Sequence, residues 1–209
     1  TFTPKFYSNE NPLFLNEYRQ AFRNAFLTLD TSYTEGYKNT SSTKTIGSRN
    51  HLFANLDLNL NEKEDSKNSL SLKIQRTSNN TYLRVHDINT SLVNPENTNL
   101  ENELKYTFDK ADMYVDIRTS VFEDLDQKKS SDKYEYILPN IMYGKTYFSE
   151  KFGTIDFKSN AFYSNYDTNK HKTFLTNDFI WSPFSSISKN GFVNSIQAMV
   201  RNINYDSKN

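Results

Sequence analysis

Three histidines, His51, His86 and His171, are the side chains of this sequence best suited to proton transfer or metal ligation. Along the chain none has a second histidine or a carboxylate at ligand spacing, whereas a metal site gathers three or four ligands. Gly144-Lys145-Thr146 has the ending of a phosphate-cradling loop, but Pro139 stands where the first glycine of that loop belongs. Asn39-Thr40-Ser41, Asn79-Asn80-Thr81 and Asn89-Thr90-Ser91 fit the glycosylation pattern, which recurs by chance in a chain so rich in Asn, Ser and Thr. No nucleophile, base and orienting group can be assembled from these positions. The expectation is a protein with no catalytic residue, metal or cofactor, and not an enzyme.

The remaining charged residues fall into a pattern of a different kind. Asp57, Glu101, Asp116 and Asp156 each sit on the polar side of a separate alternating stretch, and no two are paired for acid and base work. Lys73, Arg118 and Lys158 occupy the same sort of position. Such residues suit a wet wall. Asp57, Lys73, Asp116, Arg118, Asp156 and Lys158 are therefore the candidates to face a lumen of mixed charge that wets a polar, phosphorylated or sugar-bearing cargo.

The elements that must carry them read as strands. Leu52, Ala54, Leu56, Leu58 and Leu60 alternate with His51, Phe53, Asn55, Asp57 and Asn59, and after a polar break at Asn61 to Lys67 the alternation resumes with Leu70, Leu72 and Ile74. Two strands and a polar turn make a hairpin. Leu13 to Phe22, Ala25 to Thr34, Leu100 to Phe108, Met113 to Val121, Gly153 to Ser164 and Lys172 to Trp181 repeat the unit, with Phe192 to Tyr205 last of roughly ten or eleven strands. Phe2 to Ser8 is a first strand in which Pro4 marks an edge, a bulge or weak pairing, and Pro139 implies a bulge or kink within Tyr134 to Phe148. Gly36 to Asn50, Thr77 to Asn99 and Glu123 to Lys133 are solvated connections, the second interrupted by Tyr82-Leu83-Arg84-Val85 as a short strand or an inward fold.

Composition narrows the class. The 209 residues are 35% hydrophobic, 15% aromatic and 24% charged, with 25 basic and 25 acidic side chains, so net charge offers no argument for nucleic acid. No apolar run approaches the about 20 residues a spanning helix needs, and mean hydropathy is −0.80. There is no Cys, and only 5 Gly and 5 Pro, which leaves the turns to Asn, Asp, Ser and Lys. The sequence starts at Thr1 without Met and reads as a fragment of a longer chain. The fold expected is all-β: an antiparallel up-and-down meander, an open curved sheet that is part of a large transmembrane β-barrel, one face toward lipid and one toward water.

One set of residues adds a resemblance. Phe2-Thr3-Pro4-Lys5-Phe6-Tyr7, Asn16-Glu17-Tyr18-Arg19, Gly47-Ser48-Arg49-Asn50-His51-Leu52-Phe53 and Thr81-Tyr82-Leu83-Arg84, followed by Tyr134-Glu135-Tyr136-Ile137-Leu138-Pro139-Asn140-Ile141 and the Trp181 strand, occur in an order that resembles the LptD family of lipopolysaccharide-assembly proteins. The resemblance spans residues 1–209 and implies the N-terminal strands of that family's barrel, the periplasmic domain and the C-terminal part of the barrel being absent. It implies an outer-membrane translocon that places lipopolysaccharide in the outer leaflet, with an LptE-like lipoprotein plug and an LptA-like periplasmic bridge as partners. Pro4 matches a proline of the weak seam through which that family's barrel opens sideways. A generic porin or transporter barrel, with a constricting loop or plug, and a soluble β-sandwich binding module are the alternatives.

Overall fold

In the computed structural model, which describes residues 1–8, 10–36, 47–63 and 65–208, the chain is all-β. Eleven strands hydrogen-bond in the order of the sequence: β1 (Phe2–Lys5), β2 (Leu13–Ala21), β3 (Ala25–Thr34), β4 (Arg49–Lys63), β5 (Ser66–Thr77), β6 (Asn99–Lys110), β7 (Met113–Asp124), β8 (Tyr134–Ser149), β9 (Gly153–Tyr166) and β10 (Lys170–Ser182), with β13 (Ala198–Lys208) beside β10. Between β10 and β13, β11 (Ser186–Ile187) and β12 (Val193–Asn194) pair as a small separate ladder. The helical content among the described residues is one short helix, α1 (Tyr82–Val85), and a 3-10 turn at Ser130–Asp132. The antiparallel meander expected from period-2 alternation is what forms.

Several boundaries differ from the expectation, for local reasons. β1 stops at Lys5, and Tyr82–Val85 is a helical turn rather than a strand. β4 and β5 run through most of the polar break at Asn61 to Lys67, because ladder bonds use only backbone and polar side chains at a strand end do not prevent them. The last strand begins at Ala198 instead of Phe192, since Val193 is taken up by the small ladder with Ile187. Pro139 does mark a bulge: the β8 to β9 register shifts between Ile137 and Asn140. Most of the expected loop Gly36 to Asn50 and the site Asn39-Thr40-Ser41 lie outside the described residues.

The chain divides into two compact units. The first comprises Thr1–Leu58, Ser71–Leu104 and Val121–Tyr134. Here the register pairs Ser32 with Leu15 and His51, and Asp30 with Glu17 and Phe53, which puts Leu13, Leu15 and Glu17 of β2, Thr28, Asp30, Ser32 and Thr34 of β3 and His51 and Phe53 of β4 on one face. That polar face is the covered one. Asp30 and Thr34 are 1% exposed and His51 2%, while on the opposite face Phe2 is 64%, Tyr18 47% and Leu52 40% exposed.

The second unit comprises Asn59–Leu70, Lys105–Ser120 and Glu135–Asn209. Its register puts Ile155, Phe157, Leu175, Phe179, Trp181, Ala198 and Val200 on one face and Asp156, Lys158, Asn160, Thr176, Asp178 and Arg201 on the other. On the first face Phe179 is 45% and Val200 68% exposed, and on the second, along the same edge strand, Met199 and Ile203 are also open. Exposed aromatics collect where β8 turns into β9 and β10 ends: Tyr147, Phe148, Phe152, Trp181 and Phe184. Trp181 Nε1 donates to the Phe152 carbonyl at 2.7 Å, fixing one of them in place. Gly153 is required beside this contact, because at φ +80° a Cβ would fall 2.3 Å from the Ser182 carbonyl oxygen.

Candidate functional site

The covered face of the first unit is closed by the connection from β5 to β6. Its polar residues make the turns: Asn79 Oδ1 accepts from the Thr81 N–H at 3.1 Å, Val85 N–H reaches Thr81 O at 2.9 Å, and Asp87 at φ 44° reverses the chain after α1. Those turns aim its few apolar residues inward. Tyr82, Leu83, Ile88 and Val93 pack with Leu13, Phe53, Leu100 and Leu125 as the buried core. Of the two readings open for Tyr82-Leu83-Arg84-Val85, the inward fold is the one found. Ser78 N–H donating to Asn50 O at 2.9 Å and Leu125 N–H donating to Thr98 O at 2.7 Å hold the two ends of the segment.

Beneath this segment lies a buried polar chain. Tyr82 hydroxyl and Ser32 Oγ share a hydrogen bond of 2.7 Å, Ser32 Oγ lies 2.5 Å from His51 Nδ1, and His51 Nε2 lies 2.9 Å from Asp30 Oδ1. Strand pairing sets Ser32 directly opposite His51, and Asp30 is two residues along on the same face of β3. A hydroxyl, an imidazole and a carboxylate are thus in contact, which corrects the expectation that no such group could be assembled: the partners lie on two strands and sequence order conceals them. The arrangement does not offer a nucleophile to a substrate. Ser32 is 5% exposed and already carries the Tyr82 hydroxyl, and the imidazole presents Nδ1 to the serine, the reverse of the acyl-transfer template. What it does is tie the β5 to β6 segment to β3 and β4 through groups that water cannot reach.

Burial acts on the segment's titratable groups. It pushes the Tyr82 phenol up to about 12, the hydrogen bond to Ser32 opposing the rise. His86, whose ring centroid is 4.9 Å from that of Tyr82, is lowered from the usual imidazole range by loss of water, with Glu10 opposing and Lys5 adding to the shift. Both are held in their neutral forms.

The six residues expected on a wet wall distribute between the units. Asp57 is exposed on the polar face of β4, opposite Phe26. Lys73 Nζ is 2.5 Å from Glu101 Oε2 across neighbouring strands. In the second unit Asp116 meets Lys105 at 3.5 Å and Arg118 at 3.4 Å, and Asp156 Oδ1 accepts from Thr146 Oγ1 at 2.6 Å. Lys158 stands beside Asp178, whose carboxylate is bound by Arg201 through both oxygens at 2.6 and 2.8 Å. Pro4 is on edge strand β1, opposite Phe14 of β2, with its side chain exposed. Among the described residues no three His, Cys, Asp or Glu side chains come together as a metal site.

Sequence reading missed the Asp30, Ser32, His51 and Tyr82 chain. The available signal was the run Thr28, Asp30, Ser32, Thr34 on one parity of β3, together with apolar residues recurring at 82, 83, 88 and 93 in an otherwise polar connection. No family model, curated protein or solved structure matches this chain.

Proposed function

We propose that the chain is the strand-forming part of an outer-membrane translocon that delivers lipopolysaccharide to the outer leaflet, its apolar face against acyl chains and its charged face toward the cargo's path. The observation that carries the membrane reading is the open apolar face: Phe2, Tyr18, Leu52, Phe179 and Val200 stand exposed, while the opposite face of the first unit is covered. Leaving so many large side chains in water forfeits about 1.5–3 kcal/mol each, an arrangement that is stable when hydrocarbon surrounds them.

Two features support the finer reading. In an antiparallel meander the connections alternate between the two ends of the strands. Those after β2, β6 and β8 are the tight turns 22–24, 111–112 and 150–152, whereas those after β5 and β7 are the longer 78–98 and 125–133. Outer-membrane barrels keep short turns on the periplasmic side and long loops outside, a pattern that supports an outer position for the docked β5 to β6 segment. The connections 167–169 and 183–197 depart from the pattern. The second feature is Pro4, which removes a ladder donor from a strand of only four residues at the sheet's edge, as a laterally opening seam requires.

The translocon performs no bond chemistry; its selectivity rests on a polar path and a weak seam, with an LptE-like plug and an LptA-like bridge as the partners the resemblance implies. Pro4→Ala tests this directly. Restoring the donor strengthens the seam and slows arrival of lipopolysaccharide at the cell surface, and unchanged delivery contradicts the gate. The inward segment around Tyr82 also fits a generic porin or transporter with a constricting loop. Ion conductance through the reconstituted protein, with no lipopolysaccharide transfer and no copurifying lipoprotein, selects that reading.

A further inference from the structure

The charged face of the second unit contains a built aromatic platform. Tyr114 of β7 occupies the place a side chain at Gly144 of β8 would take: a Cβ added at Gly144 would lie 2.1 Å from Tyr114 Cε1. Glycine at 144 therefore positions the ring, which remains 40% exposed. Tyr114 is shared by two cavities of about 330 and 200 Å³, and Lys158 lines both. In the larger, Asn160 Oδ1 and Thr176 Oγ1 come from directly opposed positions on β9 and β10, and both are buried oxygens without a hydrogen-bond partner. Asp178 and Arg201 close its wall, already committed to one another. Lys158 has no ion pair among the described residues.

These groups specify a ligand class. An exposed ring in a cavity lined by polar side chains suits a molecule with an apolar C–H face and a hydroxylated rim, and a volume of about 330 Å³ falls at the small end of ligand cavities, typically about 300–1,000 Å³. A single uncommitted ammonium suits one anionic substituent and is too little for a polyphosphate. We propose that this is a saccharide subsite: one hexose ring stacks on Tyr114 within the cavity that Asn160 and Thr176 help to line, and an anionic substituent meets Lys158. As part of the cargo path the subsite rests on the translocon reading, and it names the part of the cargo that the wall would hold.

Saturation-transfer NMR on the chain folded in phosphocholine-detergent micelles tests it, with glucose 1-phosphate as probe and glucose and inorganic phosphate as comparisons. The subsite requires transfer to the hexose ring protons, a loss of affinity of about tenfold in Tyr114→Ala, and a comparable loss in Gly144→Ala, whose only route to the ligand is displacement of the ring. Lys158→Gln weakens glucose 1-phosphate and leaves glucose unchanged. No transfer, equal affinity in Tyr114→Ala, or full competition by inorganic phosphate overturns the proposal. Lipid accessibility of the apolar face is read separately: sugar binding that depends on Tyr114 without lipid contact removes the membrane reading and leaves the subsite, and lipid contact without sugar binding does the opposite.

Discussion

His51 makes the consequence of the buried chain measurable at a single residue. With Asp30 1% exposed and its Oδ2 already without a partner, His51→Leu takes the remaining side-chain donor from a carboxylate that cannot reach water. A loss of about 3 kcal/mol in denaturant unfolding is expected. Tyr82→Phe removes one neutral hydrogen bond while Ser32 keeps His51, so about 1 kcal/mol is expected. The pH dependence follows from Tyr82, which faces Ser32, His51 and His86 and is further raised by Tyr7. Because its folded value of about 12 exceeds the ordinary 10.0, its contribution to docking is complete below pH 10 and is lost as pH rises through about 12. A difference absorbance titration between the wild-type chain and Tyr82→Phe should show one tyrosine ionising late. One ionising near 10 contradicts the buried placement. His86 is shifted the other way, so docking is intact above its ordinary 6.5 and weakens as the pH falls below it.

Each strand makes its own prediction through parity. Leu56 and Asn55 are neighbours on β4 with opposite facing, Leu56 pairing with Leu27 and Asn55 with Thr28. In a bilayer Leu56→Arg should cost about 2–4 kcal/mol of folding stability, whereas Asn55→Arg should stay within about 0.5 kcal/mol. Equal costs contradict a two-sided strand. Alternation is also why the strands were readable in advance: β3 sets Leu27, Leu29 and Tyr33 against Thr28, Asp30, Ser32 and Thr34 and has the bounds expected, Ala25–Thr34. The segment at Tyr82–Val85 was not readable in the same way, because four residues are too few to display a helical period and its conformation is set by the cluster of Leu13, Phe53 and Leu100 it covers. Leu13 and Leu15 share the parity of Glu17 on β2, and the structure turns that side toward the segment, where Leu13 joins the buried cluster and Leu15 packs against it.

For the whole molecule, the account depends on which environment meets each side of the meander. Sequence supplied the alternation and the charged candidates, and Asp116, Arg118, Asp156 and Lys158 do lie within one unit. What it could not supply is which residues of neighbouring strands meet, and every pairing in the Asp30, Ser32 and His51 chain and in the Tyr114 platform is of that sort. The direct measurement is single-cysteine labelling along β4 in a chain that has no native Cys, after reconstitution into phospholipid vesicles. Leu52→Cys, Ala54→Cys, Leu56→Cys and Leu58→Cys should react with a lipid-soluble maleimide, while Asn55→Cys, Asp57→Cys and Asn59→Cys react with a charged one. Uniform reaction of all seven with the charged reagent, or a chain that remains in solution and never enters vesicles, would contradict the account.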